Sequence, residues 1–374
     1  MKRVTLDTLE ENKRISWNYK TKLTYNDSSL PFMAGTLAFT KLPFCIENDK
    51  KLLINEVNSE HHSRPFRYGE DTVPECQFEY GVLEVGEGIT VHTDKNFLVD
   101  FDNKVYTDSY CFKDMELPVI NNVLNINDSD SDNVGVFVVG AGAGSLFQHF
   151  LQDVLPLIMG AYQFLKQNPN IPIICSNCPF AVHCINNLLG LTNQVRPINN
   201  WITSKKMFVP WITPFYRGEY LPFPLLEKAS IQMSIINKPK YLILISRRNC
   251  VSRHVSNEIN VFKMVFKESK KRGLEPFLYI PSKYTEETRQ IFSQAGGIIA
   301  PHGGGNYNIL FTPHRQKKVF FIEVLTKNDL HTCWGTALAA GMDYYPLIGE
   351  GHHSKRDLLA PLDNIQTVFD SIPI

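Results

Sequence analysis

The chain has 374 residues, with 38 Lys and Arg against 38 Asp and Glu, so its formal net charge is zero. A nucleic-acid-binding protein of this size would carry a surplus of basic residues to neutralise phosphates, and the bulk charge therefore argues against such a partner. The hydrophobic fraction of 43% and the mean hydropathy of −0.17 are typical of globular proteins. A chain of this length predicts about two domains.

Targeting signals are not visible in the sequence. No apolar run approaches the ~20 residues that cross a bilayer. The N-terminus, which begins Met1-Lys2-Arg3, has no apolar segment of the kind found in secretory signals. We therefore expect no transmembrane segment and a cytoplasmic protein, or a lumenal one if a targeting segment has been removed.

The first 130 residues favour β-structure, and an α/β pattern follows. Residues 80–86 and 96–101 read as strands. From Val134 onward apolar strands alternate with helices, which is βαβ rhythm. Strands are predicted at 134–139, 171–174 and 207–212, and helices at 145–166 and 179–189. Residues 215–239, rich in Pro and aromatic side chains, read as a connector.

The alternation becomes more regular after the connector. Strands are predicted at 241–245, 275–280, 297–300, 318–324 and 344–348. Helices are predicted at 254–272, 285–295, 333–340 and 358–371. The pattern predicts two Rossmann-like units facing a ligand cleft, preceded by a β-rich extension. We predict an N-terminal domain over 1–235, a C-terminal domain over 236–350 and a terminal helical segment over 351–374.

Three local motifs suggest cofactors, and each has a simpler interpretation. Gly140-Ala-Gly-Ala-Gly144 resembles a dinucleotide fingerprint, but the next strand ends without the carboxylate that would bind ribose, so a tight turn is favoured. Cys175, Cys178 and Cys184 lack the paired spacing of structural zinc sites and are expected to be buried thiols. Asp128-x-Asp130 has the form of a metal-binding DxD motif and is kept as a runner-up.

A polar pair follows the Gly140–Gly144 turn. His149 and Asp153 are four positions apart on a predicted helix and therefore lie on one face. A carboxylate beside an imidazole can orient it for general-base chemistry. The simpler alternative is a solvated pair on a helix surface.

Further polar residues stand at predicted strand ends, where open α/β sheets bind ligands. Arg247 and Arg248 follow the strand 241–245, and a guanidinium matches phosphate oxygens in a bidentate manner. Pro301-His-Gly-Gly-Gly-Asn-Tyr-Asn308 follows another strand, and its glycines allow backbone N–H groups to approach an anion. Glu323 ends a third strand, where a carboxylate commonly accepts from ribose or sugar hydroxyls.

Taken together and in this order, these motifs resemble glycosyltransferase family 61. The resemblance extends from about residue 140 to residue 346 and rests on His149-Phe-Leu-Gln-Asp153, on Arg247 and Arg248 followed by Asn257-Glu258, and on the segment 302–311 with Glu323. The glycine segment reads His-Gly-Gly-Gly-Asn-Tyr-Asn here, whereas family members usually have His-Gly-Ala-Gly-Leu-Thr-Asn. The first 130 residues carry none of the resemblance.

The resemblance implies a GT-B fold with a C-terminal helix that crosses back to the N-terminal domain. It also implies an inverting transfer of xylose or N-acetylglucosamine from a UDP-sugar to a hydroxyl of a glycan or glycoprotein. Fixed cationic and dipolar groups would replace a divalent metal, so no essential metal is expected. The implied donor-binding residues are Arg247, Arg248, His302, Gly303, Gly304, Gly305, Asn306, Asn308 and Glu323.

The base is expected to be Asp153, with His149 as the alternative if Asp153 only orients it. Two other functions remain open: a catalytically inactive relative that binds a sugar or nucleotide, and a nicotinamide-dependent oxidoreductase built on Gly140–Gly144.

Overall fold

The chain forms two compact units, which separate between Ala229 and Ser230 in the described part of the C-terminal two thirds. The sequence predicted a division near residue 235. The computed structural model describes residues 19–25, 79–85, 90–93, 97–99, 105–107, 123–126, 134–213, 223–313, 319–326, 333–352 and 357–373. The Asp128-x-Asp130 motif falls outside these ranges.

The first unit contains eleven of the described strands and several short helices. The strands are β1 (Tyr19–Tyr25), β2 (Glu79–Val85), β3 (Thr90–His92), β4 (Phe97–Val99), β5 (Val105–Thr107), β6 (Leu124–Asn125), β7 (Val136–Val139), β8 (Ile173–Cys175), β9 (Val195–Pro197), β10 (Trp201–Thr203) and β11 (Met207–Thr213). The helices are α1 (Phe147–His149), α2 (Leu155–Gly160) and α3 (Tyr162–Gln167), with π-helical turns at Phe150–Val154 and His183–Leu188. Helix α4 (Phe223–Met233) spans the division between the units.

Two sheets organise the first unit. The larger has the order β1-β2-β11-β7-β8-β9, and the smaller has the order β5-β4-β3-β10-β6. Strands β11, β7, β8 and β9 are mutually parallel, while β1 and β2 extend the sheet in antiparallel pairing. Read from β9 to β11, the parallel part has the order 3-2-1-4, which begins the Rossmann arrangement. The predicted α/β class is confirmed here.

The second unit is built on one seven-stranded sheet. Its strands are β12 (Tyr241–Ile245), β13 (His254–Val255), β14 (Glu275–Tyr279), β15 (Ala295–Pro301), β16 (Phe320–Thr326), β17 (Asp343–Gly351) and β18 (Asp357–Leu359). Its helices are α5 (Glu258–Lys271), α6 (Glu286–Phe292), α7 (Trp334–Ala339) and α8 (Leu362–Ser371), with a 3-10 helix at Gly304–Phe311.

The strand order of this sheet determines where a ligand can bind. The order is β13-β18-β17-β16-β15-β12-β14, and the five strands from β17 to β14 are parallel. These five strands therefore follow the doubly wound order 2-1-3-4-5, in which the direction of winding reverses between the first and third strands. That reversal lies between β12 and β15. Ligands of such sheets bind outside the carboxyl ends of the strands at this position.

The core of the second unit includes the terminal helix. Ile365, Val368 and Phe369 of α8 are buried with apolar side chains of the sheet and of α5. The guanidinium of Arg272 donates to the carbonyl oxygens of Phe369, Ile372 and Pro373 at 2.8–3.1 Å. These contacts pack the helix on the core of its own unit, whereas the family resemblance predicts a helix that returns to the N-terminal domain. Within the described ranges, no helix combines the length and apolar character needed to cross a bilayer.

Two segments differ from the sequence-based predictions. The expected connector 215–239 contains α4, whose buried face includes Leu225, Leu226 and Ala229. The helix expected from residue 254 begins at Glu258, because His254 and Val255 pair with β18 instead. Both differences arise from tertiary contacts that local propensity does not encode.

Candidate functional site

The polar pair of the first unit lies on an interrupted helix. Nδ1 of His149 is 2.9 Å from Oδ2 of Asp153, and both side chains are about one-third exposed. The π-helical turn Phe150–Val154 lies between α1 and α2. Pro156 explains the interruption, since it has no N–H to donate to the carbonyl of residue 152 and its ring crowds that turn. Such turns are frequent at functional sites.

The imidazole of His149 is contacted from both sides. Nε2 lies 3.3 Å from Nε2 of Gln148, whose amide can only donate at that atom. With Nε2 accepting, Nδ1 carries the proton and donates to Asp153. Only one of the two carboxylate oxygens of Asp153 is engaged by His149, so the other remains available to accept a proton from a substrate hydroxyl.

The Gly140–Gly144 turn packs against protein backbone. A Cβ built on Gly140 would overlap the carbonyl of Thr93, and one on Gly144 would overlap Ser176 Oγ. Ser176 in turn donates to the carbonyl of Thr93. The close approach required at Gly140 is therefore to another strand end of the same unit, which explains a tight turn without a dinucleotide.

In the second unit, the site forms at the reversal between β12 and β15. Arg247 follows β12, and residues 302–306, hereafter the glycine loop, follow β15. A Cβ on Gly303 would overlap Nη1 of Arg247, so only glycine lets the guanidinium lie against the loop. Nε of Arg247 donates to the carbonyl of Ser252 at 3.1 Å, which fixes the guanidinium at one end. A cation and the glycine loop thus meet where such sheets bind ligands.

The second arginine has a different environment. Nε of Arg248 donates to Oε1 of Glu258 at 3.1 Å, and Nη2 contacts the same oxygen. Ser246 Oγ donates to the other oxygen of Glu258, which is only 8% exposed. Arg248 therefore neutralises a nearly buried carboxylate, and its predicted role in binding a diphosphate is not supported by this geometry.

Asn306 of the glycine loop and Asn308 just after it both donate to groups of the protein itself. Nδ2 of Asn306 donates to the carbonyl of Pro301 and to Glu323, both at 3.2 Å. Nδ2 of Asn308 donates to the carbonyl of Gly305 at 2.9 Å. The backbone N–H of Asn306 donates to the carbonyl of Gly303 at 2.9 Å. These groups shape the loop, and the N–H groups of Gly304 and Gly305 stand at the start of the 3-10 helix, where an anion would be favoured.

Glu323 and His302 form the deepest pair of the site. Glu323 is fully buried on β16, and its Oε1 lies 2.8 Å from Nδ1 of His302, which is 9% exposed. The backbone N–H of Cys333 at 2.8 Å and the hydroxyl of Tyr344 donate to Oε2. Neither Cys333 nor Tyr344 is recognisable from the sequence as a partner of Glu323, since they lie 10 and 21 residues beyond it and no spacing rule connects them.

One group of side chains has the spacing of a metal site. The ligand atoms of His302, Glu323 and Cys333 lie within 4.8 Å of one another. Sγ of Cys333 is 3.9 Å from Nδ1 of His302, the same nitrogen that faces Glu323. A metal ion would therefore have to displace a hydrogen bond that already satisfies both groups.

The cysteines considered for zinc are buried thiols. Cys175, Cys178 and Cys184 are unoxidised and at most 1% exposed. Burial raises the pKa of Cys175 to about 12, with a smaller contribution from Cys178. Among the described residues these thiols form no ligand group with His183, and the expectation of buried thiols is confirmed.

Comparison with known families defines the class of protein. Residues 147–319 match the family model described as Glycosyltransferase 61. This match covers the His149–Asp153 pair, both arginines and the glycine loop, and it ends four residues before Glu323. The resemblance of the motifs to glycosyltransferase family 61 is thus confirmed over these residues, and the family implies a glycosyltransferase. A search of curated proteins found no match.

Proposed function

We propose that the protein is an inverting glycosyltransferase that moves a sugar from a UDP-sugar to a hydroxyl of a glycan or glycoprotein. Xylose and N-acetylglucosamine are the favoured sugars. The second unit holds the donor and the first supplies the base, in a GT-B arrangement. The observation that carries the proposal is the contact of Arg247 with Gly303 at the carboxyl ends of β12 and β15.

The donor diphosphate binds at this contact. Arg247 offers a guanidinium, whose planar fork of N–H groups matches phosphate oxygens. Gly304 and Gly305 offer backbone N–H groups at a helix start. As the bond between the anomeric carbon and the diphosphate breaks, negative charge grows on the leaving oxygen, and these fixed groups stabilise it without rearranging. The proposal requires no divalent metal.

The new glycosidic bond forms by direct displacement. The acceptor oxygen attacks the anomeric carbon on the face opposite the diphosphate, so that its configuration inverts. The acceptor proton passes to Asp153, and UDP leaves. In this scheme His149 orients Asp153 through its Nδ1–H. The alternative assigns the proton to His149, with Asp153 as the orienting group.

A thermal-shift panel of UDP, UDP-sugars, GDP-sugars and NAD tests the donor class with the full chain. Stabilisation by UDP and by a UDP-sugar supports the proposal. Stabilisation by NAD and not by UDP would overturn it and favour an oxidoreductase. UDP release from a stabilising UDP-sugar then distinguishes an active enzyme from an inactive binding relative.

A further inference from the structure

Glu323 has the surroundings of a residue that positions another side chain. It is fully buried, and four donors reach it: Nδ1 of His302, Nδ2 of Asn306, the N–H of Cys333 and the hydroxyl of Tyr344. Two donors reach each oxygen. A buried carboxylate needs this degree of satisfaction, because each unpaired oxygen would carry a large desolvation cost.

This arrangement conflicts with a direct role in binding sugar hydroxyls. A ribose hydroxyl could donate to Glu323 only by displacing one of the four donors. That displaced donor would itself be left buried without a partner, which is costly. The interpretation of Glu323 as a ribose ligand, drawn from its place at a strand end, is therefore unsupported by its contacts.

His302 is the one partner of Glu323 that belongs to the glycine loop and also retains a ring atom for a ligand. Its backbone N–H donates to the carbonyl of Val324 at 3.0 Å, and its Nδ1 faces Glu323. Because the carboxylate accepts, Nδ1 carries a proton, and the tautomer and the ring orientation are both fixed. Nε2 is then the nitrogen that a donor substrate meets.

We propose that Glu323 is a positioning residue for the donor site, which holds His302 with Nδ1–H directed inward and Nε2 directed to the diphosphate of the bound UDP-sugar. This inference rests on the proposed function for the identity of the ligand. The positioning itself is a property of the free protein and is tested separately.

The first experiment measures the ring of His302 without any ligand. Long-range ¹H–¹⁵N NMR of the histidine-labelled full chain, with His302 assigned by comparison with His302→Gln, reports which nitrogen carries the proton. We expect the wild-type signal to show a protonated Nδ1, and both Glu323→Gln and Glu323→Ala to change it. A His302 signal unchanged in both variants would overturn the proposal. Glu323→Gln preserves side-chain volume, so the test survives if Glu323→Ala fails to fold.

Tyr344→Phe is the matched control. It removes a donor from Oε2 of Glu323 but leaves the contact of Oε1 with His302 intact. We expect its His302 signal to match the wild type. A change as large as that in Glu323→Gln would show that any disturbance of this core alters the ring, and would overturn a specific positioning role.

The second experiment is a double-mutant cycle on UDP affinity. We expect His302→Ala and Glu323→Gln each to weaken UDP binding by about tenfold or more, and the double variant to bind no more weakly than His302→Ala alone. Additive losses would mean that Glu323 does not act through His302. If the wild type binds no nucleotide, the proposed function fails while the NMR result still decides the positioning.

A third experiment tests whether His302, Glu323 and Cys333 bind a metal ion instead. Elemental analysis of the purified full chain should find no stoichiometric zinc bound. One equivalent of zinc that is lost in Cys333→Ser would mean that the His302, Glu323 and Cys333 side chains are metal ligands, and would overturn the hydrogen-bonded arrangement proposed here.

Discussion

The guanidinium of Arg247 lies against the Cα of Gly303, at a distance that no side chain at position 303 would permit. These residues are 56 positions apart in the chain and meet because β12 and β15 are parallel neighbours. The order of the strands therefore places a cation at the glycine loop, where its Nε also donates to the carbonyl of Ser252.

Gly303→Ala should displace Arg247 and weaken UDP binding by about tenfold or more, since a charge-assisted contact with phosphate would be lost. Isothermal titration calorimetry with UDP measures the change. Gly273→Asn is the matched control, because position 273 has positive φ, which Asn tolerates, and no atom lies within 4 Å of an added Cβ. Equal affinity of Gly303→Ala and wild type would contradict this assignment of Arg247.

The two neighbouring arginines should separate binding from stability. Arg247→Ala is expected to reduce UDP affinity by about tenfold or more with little effect on unfolding. Arg248→Ala should cost about 1–2 kcal/mol of unfolding free energy, because it leaves the nearly buried Glu258 without its cation. Urea unfolding and UDP titration of both variants make the comparison. The opposite pattern would return Arg248 to the donor site.

Asp153→Asn should lower kcat by about 10²–10⁴ while UDP affinity stays unchanged, because general-base catalysis contributes that much and Asp153 is not a donor-binding residue in the proposal. UDP release with saturating UDP-sugar measures it. His149→Ala should show a smaller loss if Asp153 is the base, and an equal or larger loss if His149 is. Gln148→Ala, which touches only the outer ring nitrogen, is the control and should keep most of the activity.

Two adjacent basic residues should differ in their contribution to stability. Arg272 and Lys271 both pair with the buried Glu268, but the exposed fraction of the side chain is 8% for Arg272 and 40% for Lys271. Arg272→Ala should lower the unfolding free energy by about 3 kcal/mol or more, since it also frees the carbonyls at the end of α8. Lys271→Ala should change it by less than about 0.5 kcal/mol. Urea unfolding of both variants decides whether the hydrogen bonds of Arg272 hold the terminal helix in place.

The buried thiols should resist alkylation in the native state. Iodoacetamide reacts with thiolates, and the pKa of Cys175 is raised to about 12 by burial. At pH 8, peptide-resolved mass spectrometry should find Cys250, which is partly exposed, modified before Cys175 and Cys184. Burial raises the pKa of Cys175 from 9.0 to about 12 in the folded chain. The stability that comes from keeping this thiol protonated is therefore complete below about pH 9 and is lost as the pH rises toward 12. Rapid native modification of Cys175 would contradict the burial.

Much of the second unit was predictable from sequence. Buried parallel strands appear as continuous apolar runs, so Tyr241–Ile245 and the strand ending near Glu323 were identified without a structure. Thr285 was placed at the start of a helix, and it caps that helix with Thr288 in a capping box. These features are local, and local chemistry suffices to predict them.

The roles of individual polar residues depended on contacts that are distant in sequence. Arg247 and Arg248 are indistinguishable as neighbours, and only Glu258, brought near by the turn into α5, separates them. Glu323 has the position of a ligand-binding carboxylate, but its Oε2 accepts hydrogen bonds from the N–H of Cys333 and the hydroxyl of Tyr344. The strands and helices of this unit could be predicted from the sequence, but the roles of its polar side chains could be assigned only from the tertiary structure.

The π-helical turn at Phe150–Val154 has a consequence for sequence length. Its hydrogen bonds run from residue i to i+5, so the turn contains one residue more than the corresponding α-helical turn. This extra residue rotates the side chains that follow it by about 100° around the helix axis. Phe150, Leu151 and Val154 stay buried while His149 and Asp153 both remain on the accessible side. Deleting Leu151 or Gln152, which lie between His149 and Asp153, would remove the extra residue and shorten the spacing of the pair from four positions to three. The number of residues in this turn is thus as necessary to the geometry of the polar pair as the two side chains themselves.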